Sequence, residues 1–391
     1  MIYFDHAAST ALDPDALEAM RPTFDLHFGN PSSLYAMGRD AHGLLDRARE
    51  QVALTLNADP KEIVFTSGGT EAVNAALKGA AWALRERGSH IVVSAVEHHC
   101  VLDACAWLAR QGFQITQVPV DSAGRVDPTA VEKALRSETI LVSIMAANNE
   151  VGTIQPIREI GKTCRDRKVL FHTDAVQAYG KVPIDVEKDF VDLLSVSGHK
   201  IYGPKGSGFL FQRRGVELTP LVHGGGQERG RRGGTENVAG IVGLGEAAAK
   251  ACHHLTGEKL RLNALTQILW DGLKKRLPEI ELIGPDSPEE RLPGLLNLHL
   301  PGIEGETLVH GLDAKGFAVS TGAACATGGG GPSHVLLAMG RTKNQAKEAL
   351  RVSLGKSNTE AEVRQLLEVL PLVADRLKAM ATMWLDEDSK T

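Results

Sequence analysis

The chain has 391 residues, 43% of them hydrophobic, with 43 Lys and Arg against 48 Asp and Glu and a formal net charge of -5. A chain of this size buries a large core, and two domains, or one large domain with a smaller one attached, are expected. The balanced charge argues against a nucleic-acid surface, and no apolar run reaches the roughly 18 residues that would suggest a membrane span. Its five cysteines are odd in number and include no C-x-x-C pair, which in a chain this long argues against a disulfide scaffold. Met1 to Asp5 shows no signal-peptide pattern, so the cytoplasm is the expected compartment.

Helices are predicted over 15–21 and 38–56, the second from Leu44, Leu45, Ala48, Val52 and Leu56 at helical spacing. Ile63-Val64-Phe65 reads as a buried strand, followed by Ser67-Gly68-Gly69-Thr70 and a helix over 71–87. Short apolar strands near 91–93, 115–118, 140–145 and 170–172 then alternate with helices near 99–111, 128–136 and 156–166. Strands at 193–196 and 208–211 complete the set. This alternation predicts an α/β fold with a large, mostly parallel sheet covered on both faces. After a helix over 236–253 the rhythm changes. Helices near 257–277, 304–314, 344–349 and 359–380 mix with strands near 280–283 and 294–299, as in a smaller α+β domain. The expected division is 15–255 for the large domain, with 1–14 and 256–391 forming the small one.

Three strand ends carry candidate chemistry. Ser67 to Thr70 precedes a helix, where free backbone N–H groups favour an anion; the alternative is a simple capped turn. Asp174, in His172-Thr173-Asp174-Ala175-Val176-Gln177, lies at a carboxyl strand end, where it could keep a pyridine nitrogen protonated or merely cap a turn. Lys200 ends Ser195-Val196-Ser197-Gly198-His199-Lys200, a setting suited to a lysine that forms an imine and then moves a Cα proton. Together they fit pyridoxal 5'-phosphate, with its phosphate at 67–70, its ring nitrogen at Asp174 and its aldehyde carbon at Lys200. The basic cluster Arg229-Gly230-Arg231-Arg232 reads either as a solvated loop or as one facing an anion or another subunit.

At these residues the chain resembles the cysteine desulfurases of aminotransferase class V, which have the type I fold of pyridoxal-phosphate enzymes. The resemblance runs from Tyr3-Phe4-Asp5-His6-Ala7-Ala8 to Leu350-Arg351-Val352-Ser353-Leu354-Gly355. It includes Phe28 to Ser33, Phe65 to Glu71, Asn148-Asn149-Glu150-Val151-Gly152 and Gly226 to Asn237. It implies conversion of L-cysteine to L-alanine, with a persulfide left on the protein. Lys200 would be the Schiff-base lysine, Asp174 the partner of the ring nitrogen and Gln177 a donor to the ring hydroxyl oxygen. His98 would stack on the ring and assist proton transfer; a core histidine is the alternative. Gly69 and Thr70, with Ser197 and His199, would hold the phosphate. Thr235 would reach the phosphate of a neighbouring subunit, implying a homodimer with shared sites. Asn149 and Arg351 would take the substrate carboxylate, Arg351 by a two-pronged contact; a structural salt bridge is the alternative.

Cys325, in Ser320-Thr321-Gly322-Ala323-Ala324-Cys325-Ala326-Thr327 ahead of Gly328 to Gly331, is the expected nucleophile. The Gly-rich stretch suits a loop that must reach both the cofactor and a sulfur acceptor, such as an iron–sulfur scaffold protein. The other four cysteines lie in predicted helices. The chain departs from the commonest family pattern at His6, Ser9, Val352 and Gly329 to Gly331. No metal ligand set, membrane contact or stable nucleic-acid partner is expected.

Overall fold

The computed structural model describes residues 1–322 and 331–388. Strand β1 (Ile2–Tyr3) precedes a seven-stranded sheet. Its strands are β2 (Ile63–Thr66), β3 (His90–Ser94), β4 (Gln114–Val118), β5 (Thr139–Ser143), β6 (Leu170–Asp174), β7 (Leu193–Ser197) and β8 (Gly208–Gln212). The order is β2-β8-β7-β6-β5-β3-β4, and only β8 runs against its neighbours. The carboxyl ends of β2, β3, β5, β6 and β7 therefore share one edge.

The strands are apolar throughout because both faces are covered. Successive residues point to opposite faces. Val92 joins a core with Leu45 and Val52, Ile160, and Leu244 and Ala248, from the helices Ala36–Leu54, Ile157–Asp166 and Val238–His253. Its neighbours Ile91 and Val93 join the other core, with Val73 and Leu77 from the helix Gly69–Ala83 and Val101 and Leu108 from His99–Arg110.

A second body holds β9 (Glu281–Ile283), β10 (Leu295–His299), β11 (Phe317–Ala318) and β12 (Ala349–Ser353). β10 is flanked antiparallel by β9 and β12. Leu296, Leu298, Leu350 and Val352 pack on the helices Leu255–Arg276 and Glu360–Asp388 through Leu265, Leu269, Leu366 and Leu370. Phe4 is fully buried in this core, and β1 pairs in parallel with β11. The N-terminal segment thus packs with the C-terminal part of the chain.

The helix expected over 344–349 is the short Lys343–Lys347, started by a capping box of Thr342 and Gln345. Ala349 to Ser353 form β12 instead, because their apolar residues find a partner in β10. Among the described residues no helix is long and apolar enough to cross a membrane.

Candidate active site

A cavity of about 240 Å³ opens at the carboxyl edge of the large sheet. It is lined by Gly69, Thr70, His98, Asn149, Asp174, Gln177, Ser197, His199, Lys200 and Arg351. Every expected site residue is gathered there except Thr235, which is exposed elsewhere, and Cys325, which lies outside the described residues.

Gly68 has φ 155°, and the helix Gly69–Ala83 begins at Gly69 with no side chain capping it. Its first N–H groups are thus left without a side-chain acceptor. A Cβ on Gly69 would stand 2.6 Å from Val176 Cγ2, so glycine is what lets this turn close beside Val176 and Ser197. Glu71 accepts from the Ser67 N–H (2.8 Å) and pairs with Arg232, which removes its free negative charge from the turn. Within the basic cluster Arg231 donates to the Ile63 carbonyl, and of the three arginines Arg229 is the exposed one.

Asp174 ends β6 and is 4% exposed. Burial pushes its carboxyl up to about 6, against the Val176 N–H donated to Oδ1 (2.9 Å) and the charge of Lys200. Lys200 closes a single turn after β7, and its Nζ donates to the carbonyls of Ala7 (2.7 Å) and Ala8 (2.6 Å). The Gln177 amide also donates to the Ala7 carbonyl (2.8 Å). His98 caps the helix His99–Arg110 through Nδ1, which accepts from the Cys100 N–H. Burial, then the charges of Lys200, His99 and His334, hold His98 down to about 4, so the ring is neutral. His199 is lowered to about 4 for similar reasons.

Arg351 on β12 is 1% exposed and donates to Asp5 Oδ1 (2.7 Å) and the Asn149 carbonyl (3.0 Å), while its buried Nε has no partner. The structural salt bridge weighed as an alternative is present, and the same guanidinium faces the cavity. The class-V aminotransferase family profile matches residues 2–366.

The chain belongs to the class-V aminotransferases.

Within this family it is 48% identical to the cysteine desulfurase IscS of Clostridium botulinum over 98% of this chain and 97% of that protein. It is also 48% identical to the Methanosarcina thermophila IscS, over 98% and 94%. A NifS-like protein superposes with a TM-score of 0.90 at 41% identity, covering 96% of this chain and 100% of that one. The structure of SspA in complex with cysteine gives 0.78 at 37%, covering 90% and 99%. These place the chain among enzymes of the cysteine desulfurase group.

In and around this cavity lie residues that sequence reasoning missed. Ala7 and Ala8, inside the N-terminal motif, supply the acceptors for Lys200. Glu97, next to His98, is fully buried; burial pushes it up to about 8 although Ser94 Oγ and the Met145 N–H donate to Oε1. Glu150, next to Asn149, is also raised by burial and accepts from Ser333 Oγ (2.5 Å). A Cβ on Gly322 would stand 3.5 Å from the same carboxylate, so both Gly322 and Ser333 lie near Glu150. Cys100 lines the cavity with Sγ 3.0 Å from His98 Nδ1, and burial pushes its thiol well above the ordinary range. The motif residues nearest to these were visible in the sequence, but nothing in the spacing marked the residues themselves.

Proposed function

We propose that the protein is a pyridoxal-phosphate-dependent cysteine desulfurase that converts L-cysteine to L-alanine and leaves the sulfur as a persulfide on Cys325. The observation that carries this reading is one cavity holding a lysine at a strand end, a buried carboxylate on the next strand and a glycine-lined helix start. The residues fit the cofactor. Gly69, Thr70, Ser197 and His199 would hold its phosphate, Asp174 its ring nitrogen, Gln177 its ring hydroxyl oxygen and Lys200 its aldehyde carbon. A protonated ring nitrogen would also relieve the cost of burying Asp174. When bound, the cofactor acts as an electron sink that makes the substrate's Cα proton removable.

The protein's own residues do the rest. Arg351 and Asn149 hold the substrate carboxylate, with Asp5 sharing the guanidinium charge. The Lys200 amine, kept in place by the Ala7 and Ala8 carbonyls, takes the Cα proton. Neutral His98 covers the ring and moves protons at that face. The Cys325 thiolate attacks the substrate sulfur and the Cβ–S bond breaks. Proton return then releases alanine, so cysteine plus a protein thiol becomes alanine plus a protein persulfide. An iron–sulfur scaffold or another thiol-bearing acceptor protein takes the sulfur onward.

We read the enzyme as a homodimer with shared sites. Thr235 is exposed and outside its own cavity, and Phe24, Leu26, Phe28 and Leu34 leave a cluster of exposed apolar side chains close together in the chain. The test is incubation of the purified protein with L-cysteine, measuring alanine and locating the persulfide by mass spectrometry. Alanine with a persulfide on Cys325, both abolished in Cys325→Ala, is expected. A persulfide on Cys100 instead, or unchanged turnover in Cys325→Ala, would sink the assignment of the nucleophile.

A further inference from the structure

Lys181 belongs to none of the motifs that carry the resemblance. It lines a smaller cavity of about 60 Å³ that shares Ala7 as a wall with the main one. Its Nζ donates to Gln177 Oε1 (3.1 Å), and Gln177 in turn donates from Nε2 to the Ala7 carbonyl, the same oxygen that accepts from Lys200. Among the described residues no carboxylate pairs with Lys181. Burial, then the charges of Lys200 and Arg351, lower its amine to about 7.

The hydrogen-bonding inventory of this chain of contacts decides which way the amide faces. A protonated lysine only donates and a backbone carbonyl only accepts. Turning the Gln177 amide over would set its oxygen against the Ala7 carbonyl, losing that bond, and its NH₂ against Lys181, which accepts only when its amine is neutral. With the amide as placed, one N–H goes to Ala7 and the second is left for the cavity, which Gln177 lines.

We propose that Lys181 is a positioning residue: it locks the Gln177 amide so that an N–H, not the carbonyl oxygen, meets the ring hydroxyl oxygen of the cofactor. This rests on the cofactor reading above. Without Lys181 only the Ala7 bond resists turning, so the orientation that sets the amide oxygen against the ring oxygen is visited more often.

The test uses the purified holoenzyme, its visible absorption band and the rate at which pyridoxal phosphate is released into a trap. Lys181→Met is expected to move the band and to speed release at least about twofold, the low end of one hydrogen bond's contribution. Gln177→Ala should do the same, and the double variant should go no further than Gln177→Ala alone, because the two residues act as a unit. Lys181→Arg, which keeps a charged donor, should stay close to wild type. If Lys181→Met does not fold, Lys181→Gln serves, since its amide can turn either an N–H or an oxygen towards Gln177 and so loosens the lock. A folded Lys181→Met or Lys181→Gln holoenzyme with the wild-type band and release rate overturns the proposal, as do fully additive effects with Gln177→Ala. A wild-type protein with no visible band would instead overturn the cofactor reading, and this one with it.

Discussion

Asp174 is buried at the end of β6, while Lys200 follows β7 on the neighbouring strand. A carboxylate there is costly unless a cation meets it, and burial has already raised it to about 6. Asp174→Asn tests this by removing the charge and keeping the oxygen that accepts from the Val176 N–H. Alanine formation is expected to fall about 10²-fold or more, the scale of losing one preorganised electrostatic contact. The melting temperature should hold, since the turn keeps its hydrogen bond. Wild-type turnover in this variant would remove Asp174 from the chemistry. Asp174 and Lys200 were legible in the sequence because each ends a short apolar strand and enters a run of small or polar residues. Glu150 and Lys181 were not. Glu150 gains its meaning from Ser333, far along the chain, and Lys181 from an amide orientation that no spacing encodes.

Among the elements, the start of the helix Gly69–Ala83 and the loop around Glu228 each rest on one residue. In Gly69→Ala the new methyl would stand 2.6 Å from Val176 Cγ2, and Val176 is stiff and lies between Asp174 and Gln177. Overpacking of this kind costs about 1–3 kcal/mol. The expected outcome is cofactor affinity weaker by about tenfold, read by equilibrium dialysis, and partly recovered in Gly69→Ala/Val176→Ala. Glu228 accepts from Arg49 on both oxygens and from the Phe65 N–H, tying the run Gly226 to Asn237 to β2. Glu228→Ala strands Arg49, which is 7% exposed, so urea unfolding should show a loss of about 3–5 kcal/mol. A loss below 1 kcal/mol would mean that Arg49 finds water. The elements harder to read are those whose reason is distant. β1 and β11 are two residues each and exist by pairing with one another. β12 was hidden behind a real capping box, and its strand character comes from β10. The large sheet needed no such help, because its strands alternate locally with helices.

Across the whole molecule, His172 joins three strands of the sheet that positions the site. Its ring is fully buried in β6 and meets Ser143 Oγ of β5 (2.8 Å) and Ser195 Oγ of β7 (2.9 Å). Burial lowers it to about 3, from an ordinary 6.5 in the unfolded chain. The unfolded chain therefore takes up a proton below pH 6.5 that the folded one refuses until about 3. This contribution to stability is fully present above pH 6.5 and is lost as the pH falls towards 3. Between pH 7 and pH 5 the loss is about 2 kcal/mol from this one ring. Glu97 runs the other way. Raised from 4.5 to about 8, its contribution is present below 4.5 and is lost as the pH rises to 8, so wild-type stability alone does not isolate His172. The comparison with His172→Gln does, since Glu97 is common to both proteins. At pH 7 the variant should be less stable, having lost a fitted pair of hydrogen bonds across the sheet. At pH 5 that deficit should be smaller by about 2 kcal/mol, because the wild type has by then lost the contribution the variant never had. Urea unfolding of the two proteins at both pH values measures the difference. An equal deficit at pH 7 and pH 5 would mean that His172 takes its proton as readily in the folded sheet as in the open chain.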